Sequence, residues 1–470
     1  MSTAFGDDKR ILIVGASLAG LRAAETLRAE GFRGRVTIVG DEPDEPYDRP
    51  PLSKGVIAGR FPAAHTALPR CEPLRDVEWR LGVAATGLDA LAKRVLLLDG
   101  QSIEFDRLLI ATGARARPWR DPSQAKLDGV FTLRGRADAE RLHARLAAHP
   151  NRVVVIGAGF MGSEIASSCR ELGLAVTVIE RGPAPLSGAL GGVVAERAGA
   201  LQRDHGVDLR CYTTVDALEG DAEGRLRRVR LSDGSALDAD VAVVALGAVR
   251  NTEWLRGSGL AAGEFGVACD AGCRAIALNF IVTDDFFVAG DVARFPHPLY
   301  RHQFLALEHW SNAIEQAAIA AHNMICAPAN RRPHLAVPAF WSSQFGVNIK
   351  SVGVPSAADE VFIAQGSLAA GRFVAVYGKE GRVVAAVTFN QGRWIEFYQR
   401  LIESAAPFPP EASAADRPTP SAPIPVAFPD PTAVAHEATA ILTGYDATDR
   451  RVQWIPRRRA APAHGAVNPR

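Results

Sequence analysis

Two runs of four apolar residues, Ile11-Leu12-Ile13-Val14 and Val153-Val154-Val155-Ile156, are each followed at once by a glycine-rich turn. An unbroken apolar run of this length reads as a strand buried on both faces. After the first run, Gly15-Ala16-Ser17-Leu18-Ala19-Gly20 leads into Leu18, Leu21, Ala24 and Leu27 at helical spacing, with Gly31 placed to stop the helix. A second strand at residues 36–39 ends in Gly40-Asp41-Glu42. The second run is followed by Gly157-Ala158-Gly159-Phe160-Met161-Gly162, a helix over residues 164–172, and a strand at 176–179 that ends in Glu180. Each stretch is a strand–turn–helix–strand unit whose helix N-terminus offers free N–H groups and a positive dipole end to a pyrophosphate. The acidic residue after the second strand, Asp41 or Glu42 in the first unit and Glu180 in the second, accepts hydrogen bonds from a ribose. Glu180 favours NADH over NADPH, although Arg181 beside it is of the type that holds a 2′-phosphate. The first unit has Ser17 where the fingerprint has its middle glycine.

Two such units already exceed one core, and 470 residues call for two or three domains. With 47% hydrophobic and 22% charged residues the chain reads as globular, and a net charge of +1 argues against a nucleic-acid coat. The six cysteines form no C-x-x-C pair and no zinc spacing, so neither a disulfide framework nor a structural metal is expected. Cys269 and Cys273 read as two reduced thiols. The first nine residues are polar, and the longest apolar stretch, residues 241–249, is too short to span a bilayer. The expectation is a cytoplasmic protein with no membrane segment.

Between the units, Pro46-Tyr47-Asp48-Arg49-Pro50-Pro51-Leu52-Ser53-Lys54 is a stiff loop that places Arg49 and Lys54 together. A buried strand at 108–111 exits through Thr112-Gly113-Ala114, small residues that leave space for a ligand, followed by Arg115 and Arg117. Later strands at 241–246 and 286–289 follow, the second ending in Gly290-Asp291-Val292, a carboxylate where ligands meet parallel sheets. Glu308-His309-Trp310-Ser311-Asn312-Ala313 opens a helix to about Met324. Residues 335–400 change character: strands at 373–376 and 383–389 around a turn at 377–381, then a helix at 395–402, read as a small α+β domain. Beyond Ala405 come seven prolines, from Pro407 to Pro425, read as a linker. Asp430 and Pro431 are placed to cap a helix containing Val434, Ala438, Ile441 and Leu442, ended by Gly444. The last residues, with Arg457-Arg458-Arg459, read as disordered.

Two dinucleotide units in one chain imply two cofactors brought face to face for hydride transfer from a nicotinamide to a flavin. The stretch after the first helix carries no cysteine pair, only Cys71 alone, so the flavin is expected to pass electrons to an external acceptor.

The motifs Pro46-Tyr47-x-Arg49-Pro50-Pro51-Leu52-Ser53-Lys54, Ala111-Thr112-Gly113-Ala114, Gly157-x-Gly159-x-x-Gly162-x-Glu164, Ala289-Gly290-Asp291-Val292, Glu308-His309-Trp310-x-Asn312-Ala313 and Phe340-Trp341-Ser342-x-Gln344 resemble those of the FAD-dependent ferredoxin reductases of oxygenase systems. The resemblance spans roughly residues 10–400. It implies an α/β, glutathione-reductase-like fold: an FAD domain in two segments (1–115 and 247–330), an NAD domain (116–246), a C-terminal α+β domain (331–405) and a proline-rich, partly disordered tail (406–470). It implies non-covalent FAD, NADH as donor, and a small iron–sulfur ferredoxin as acceptor, feeding a cytochrome P450 or dioxygenase, in a monomer or homodimer.

By the same resemblance, Gly15, Ser17, Gly20 and Asp41 or Glu42 hold the adenosine and pyrophosphate of FAD, and Arg49 and Arg117 contact FAD. Thr112, Gly113 and Val292 belong to its binding motifs. Lys54 sits beside the flavin ring, Asp291 bonds the ribityl chain, and Trp341, with Trp310 near the same site, packs close to the isoalloxazine. Gly157, Gly159, Gly162 and Glu180 bind NADH, with Glu164 close to the nicotinamide. Lys54, Glu164 and Trp341 are the candidate catalytic side chains. Three features depart from the family pattern: Ser17, the bulky basic stretch 294–307, and the tail. Arg294, Arg301, Lys350 and Arg393 are candidates for a basic face that receives an acidic ferredoxin. Two other functions fit the same motifs: an NADH oxidase or quinone reductase on this fold, and an NADH-responsive binding partner similar to apoptosis-inducing factor.

Overall fold

The computed structural model describes residues 5–70, 72–410, 422–426, 438–443 and 451–456. Its first sheet is six-stranded, in the spatial order Arg274–Ile276, Val282–Val288, Arg107–Ile110, Arg10–Val14, Arg35–Val39, Glu78–Arg80. Ile11 is parallel-paired with Val36 on one side and Arg107 on the other, so the apolar run lies in the middle of the sheet. That position explains its composition: Ile11, Leu12, Ile13 and Val14 are buried whichever face they point to. Helix Leu18–Ala29 covers one face and packs against helix Trp310–Ile325. Ala313, Ala317, Ala320 and Ala321 make up much of that contact, and their small side chains let Leu21, Ala24 and Leu27 come close.

The second sheet repeats the plan with five strands, ordered Asp208–Arg210, Val176–Ile179, Val153–Ile156, Val241–Val244, Val130–Phe131. Val155 pairs in parallel with Val178 and Val243, again burying an apolar run centrally. Chain residues 274–288 return to complete the first sheet after the second is finished.

A third, antiparallel sheet runs Ala339–Gln344, Val347–Gly353, Arg382–Phe389, Arg372–Lys379, Glu360–Ser367, Ile424–Pro425. Helix Ile395–Glu403 buries Tyr398 and Ile402 against it. The hairpin anticipated around 377–381 is tighter than expected. Tyr377 is fully buried within a strand that continues to Lys379, and only Glu380 and Gly381, both with positive φ, make the turn. Pro425 sits on the edge strand, where its missing N–H costs no ladder bond.

The helix anticipated over 430–444 is corrected: Ala438–Thr443 is a strand, antiparallel to Arg451–Pro456 and bridged to Gln303. The stretch alternates Thr439, Ile441 and Thr443, β-branched residues at period two, which outweighs the weaker helical spacing. Val434, Gly444, residues 457–459 and Cys71 lie outside the described residues. The bulky stretch 294–307 forms the hairpin Ala293–His297 and Gln303–Leu305, and its bulk fills core: Phe295, Tyr300 and Phe304 are buried. No helix among the described residues is long and apolar enough to cross a membrane.

Candidate active site

The C-terminal ends of the first sheet's strands open into a cleft of about 830 Å³. Its walls come from the first glycine turn, the 41–54 loop, Thr112 and Gly113, residues 133–138, Gly290 and Asp291, the start of helix Trp310–Ile325, Phe340 and Trp341, and Phe160, Met161 and Glu164 of the second unit.

The glycine turns explain themselves sterically. A Cβ on Gly15 would lie 2.1 Å from the Ala111 carbonyl oxygen, and one on Gly20 would lie 2.0 Å from that of Gly15. Gly157 and Gly162 repeat this, 2.5 Å from Ala245 O and 2.0 Å from Gly157 O. The middle position differs. A Cβ on Gly159 would meet nothing within 4 Å, and its φ of −68° suits any residue. Ser17 has the corresponding place and a φ of −95°. Serine therefore costs the first turn nothing, and its Oγ accepts a hydrogen bond from Arg49 Nη2 at 3.3 Å.

Arg49 in turn is paired with Glu42, which also accepts from the Tyr47 hydroxyl. Burial pushes the Glu42 carboxyl up, but the Arg49 guanidinium and the Tyr47 hydroxyl outweigh it and hold it below the usual carboxylate range. Asp41 also lines the cleft and is exposed. Arg134, which the sequence reading missed, reaches Asp291 at 2.6 Å, and its backbone oxygen accepts from Arg49 Nη1 at 3.1 Å. No local motif marks Arg134; its partner is 157 residues away. Its Nε is buried without a hydrogen-bond partner. Two guanidiniums beside a helix N-terminus and a turn that excludes side chains fit an extended, pyrophosphate-bearing cofactor such as FAD.

At the other end, Glu164 is almost fully buried and accepts three bonds: Lys54 Nζ at 2.7 Å, Ser53 Oγ at 2.5 Å and Ser342 Oγ at 2.6 Å. One residue therefore ties the 46–54 loop, the second unit and the third sheet together. Trp310 Nε1 donates to Asp48 at 2.8 Å, and burial raises the Asp48 carboxyl. Trp310 meets Trp341 edge-on at 5.7 Å, and Trp341 stays 41% exposed, so it is a boundary between cleft and solvent.

Thr112 and Gly113 line the cleft, and Asn251 bonds both of their backbones. Two expected residues are placed elsewhere. Arg117 lies beyond the strand Ala114–Ala116 and donates to Ala248 O at 3.2 Å, while Arg115 is the arginine on the cleft wall. Val292 is a core residue, fully buried, its carbonyl bonded to Val267 N. Glu180 lies at the second glycine turn, where its carboxylate accepts from Ala158 N at 2.8 Å and Gly182 N at 2.6 Å. Among the basic candidates, Arg301 is paired with Glu380, Arg294 is half-buried beside Phe304, and Lys350 stands directly opposite Trp341 across two strands. Arg393 lies over the Trp394 ring at 5.7 Å. No cysteine lines the cleft among the described residues.

Residues 9–317 match the pyridine nucleotide-disulphide oxidoreductase family, and residues 339–420 match the reductase C-terminal family. The chain belongs to the ferredoxin reductases of this family. It is 33% identical to rhodocoxin reductase of Rhodococcus erythropolis over 86% of this chain and 92% of the relative. It is 34% identical to putidaredoxin reductase of Pseudomonas putida over 85% and 93%. Its fold overlays the reductase of the covalent putidaredoxin reductase–putidaredoxin complex with a TM-score of 0.79 at 30% identity, covering 86% of this chain and 94% of that one.

Proposed function

We propose that the chain is an FAD-dependent NADH:ferredoxin oxidoreductase, accepting a hydride from NADH and passing electrons to a [2Fe–2S] carrier that serves an oxygenase. The observation that carries this reading is the single cleft in which the first glycine turn, the Asp291–Arg134 pair and the buried Lys54–Glu164 pair meet the helix of the second dinucleotide unit. The bound flavin would supply the step between a two-electron donor and a one-electron acceptor. The chain's residues do the rest. Gly15, Ser17, Gly20, Arg49 and Arg134 hold the pyrophosphate, with Asp41 or Glu42 toward the adenosine ribose. Asp291 orients the ribityl chain, with Thr112 and Gly113 lining its path. Lys54 presents a cation near the redox ring, fixed by Glu164. Gly157, Gly159, Gly162 and Glu180 receive NADH, and a carboxylate at 180 disfavours the 2′-phosphate of NADPH. Trp341 shields the ring from water while reaching the surface, and Lys350 beside it offers charge to an acidic carrier. With no cysteine lining the cleft among the described residues, electrons leave directly to the partner. A cytoplasmic location and the FAD, NAD and C-terminal domain limits given above belong to the same reading.

Anaerobic titration with NADH, then NADPH, followed by oxidised [2Fe–2S] ferredoxin, tests it. NADH is expected to bleach the flavin absorbance and ferredoxin to restore it while becoming reduced. Recovery with oxygen or a quinone alone refutes the carrier assignment.

A further inference from the structure

Behind the cleft, four buried polar groups line up. The Gly290 N–H donates to Gln316 Oε1 at 2.9 Å, and Asn312 Nδ2 donates to the same oxygen at 3.4 Å. His334 Nε2 lies 3.0 Å from Asn312 Oδ1. The orientations follow one from another. A backbone N–H can only donate, so the Gln316 oxygen faces Gly290. That oxygen can only accept, so the Asn312 amide nitrogen faces it and the Asn312 oxygen faces the histidine. His334 must then carry its proton on Nε2. Gln316, Asn312 and His334 are 0%, 4% and 1% exposed, so water cannot substitute for any member.

The two ends matter. Gly290 has φ +79°, a left-handed conformation that favours glycine, and it immediately precedes Asp291. His334 N donates to Ala271 O at 2.7 Å, and His297 Nε2 holds the Ala336 carbonyl at 2.9 Å. The 334–336 segment so fixed leads into strand Ala339–Gln344, which carries Trp341 and Ser342.

We infer that His334, Asn312 and Gln316 are positioning residues, a hydrogen-bond relay that fixes the Gly290–Asp291 turn in register with the strand bearing Trp341. The inference rests on the flavin reading for the role of Asp291. Its geometry makes a claim that needs no flavin: the Gly290 amide is held by a side chain. Burial pushes the His334 imidazole down to about 3, so the relay keeps one protonation state at neutral pH.

The test is amide hydrogen exchange at Gly290 in the full chain, with and without added FAD, together with FAD affinity by fluorescence titration. Gln316→Leu is expected to speed exchange at Gly290 at least about tenfold and weaken FAD binding about tenfold, the scale of one lost buried acceptor. Gln316→Glu keeps an acceptor for both donors and is expected to hold both quantities within about threefold of wild type. Should Gln316→Leu not fold, Asn312→Leu gives the same readout one bond further away. Wild-type exchange in the Leu variants, or Leu and Glu variants that behave alike, overturns the relay. Exchange in the expected order from proteins that bind no FAD leaves the relay standing and sinks the flavin reading.

Discussion

Lys54→Met isolates the contact that joins the 46–54 loop, the second unit and the third sheet. The Nζ–Oε2 distance of 2.7 Å, with Glu164 7% and Lys54 20% exposed, corresponds to about 6 kcal/mol of Coulomb attraction at an effective dielectric near 20. That is a gross figure, because both charges were desolvated to make the pair. Removing the lysine leaves the Glu164 carboxylate buried, supported only by the Ser53 and Ser342 hydroxyls. Breaking a buried pair from one side costs about 3–5 kcal/mol, and two remaining charge-assisted hydrogen bonds place this case at the lower end, about 3 kcal/mol. Glu164→Gln is milder, about 1–2 kcal/mol, because the lysine tip reaches solvent. The double variant loses less than the sum, with a coupling of about 2 kcal/mol. Urea unfolding of the holoprotein and of the three variants gives these numbers directly. Additivity within about 0.5 kcal/mol, or a Lys54→Met cost below that, would falsify the claim that this pair joins the loop, the second unit and the third sheet.

Substitutions in the two glycine turns should separate by position. Gly15→Ala and Gly162→Ala, each placing a Cβ about 2 Å from a carbonyl oxygen, should abolish cofactor retention or folding, read by flavin content and circular dichroism. Ser17→Gly and Gly159→Ser, at the open middle position, should leave unfolding midpoints nearly unchanged. Acid should destabilise the protein through its buried imidazoles: burial pushes His309 down to about 4 and His334 to about 3. The unfolded chain takes up these protons near pH 6.5 and the folded one does not, so stability is full above pH 6.5 and falls below it. Each histidine contributes up to about 1.4 kcal/mol per pH unit until its folded value is reached. Urea midpoints between pH 7 and 5 should therefore slope less steeply in His334→Gln; an unchanged slope refutes the assignment. Glu42, held low by Arg49, contributes stability above pH 4.5 that is lost as pH falls through its depressed value, and Glu42→Gln should flatten that limb. Trp341→Ala, removing a half-exposed ring, should change stability by under about 1 kcal/mol while slowing electron delivery to ferredoxin more than NADH-driven flavin bleaching. Equal slowing of both steps would contradict its place at the exit.

The two dinucleotide units were legible because each is local. An apolar run, a glycine turn and a helical repeat lie within about thirty residues, and the first and last glycines of each turn answer to a clash with its own turn or the neighbouring strand. The hairpin at 372–389 and the helix at 395–403 were legible for the same reason, through period-two and helical patterns. The tail misled because Ala438, Ile441 and Leu442 satisfy a helical repeat while Thr439, Ile441 and Thr443 satisfy a strand. Isolated helical propensity could not weigh the open edge of Gln303–Leu305, to which the strand is joined. Arg117 and Val292 were expected at the cofactor from the family resemblance, whereas strand exit geometry turned one to Ala248 and buried the other.

By itself, then, the sequence determined two glycine turns after buried strands, the acidic residues after them and the lack of a C-x-x-C pair, since backbone sterics and local periodicity act over a few residues. Only the tertiary structure decided which polar groups meet: Lys54 with Glu164 across 110 residues, Arg134 with Asp291 across 157, and the Trp310 indole N–H with Asp48 across 262. These pairings depend on how separate sheets pack. A charged side chain carries no mark of its partner until burial removes the water that would otherwise satisfy it.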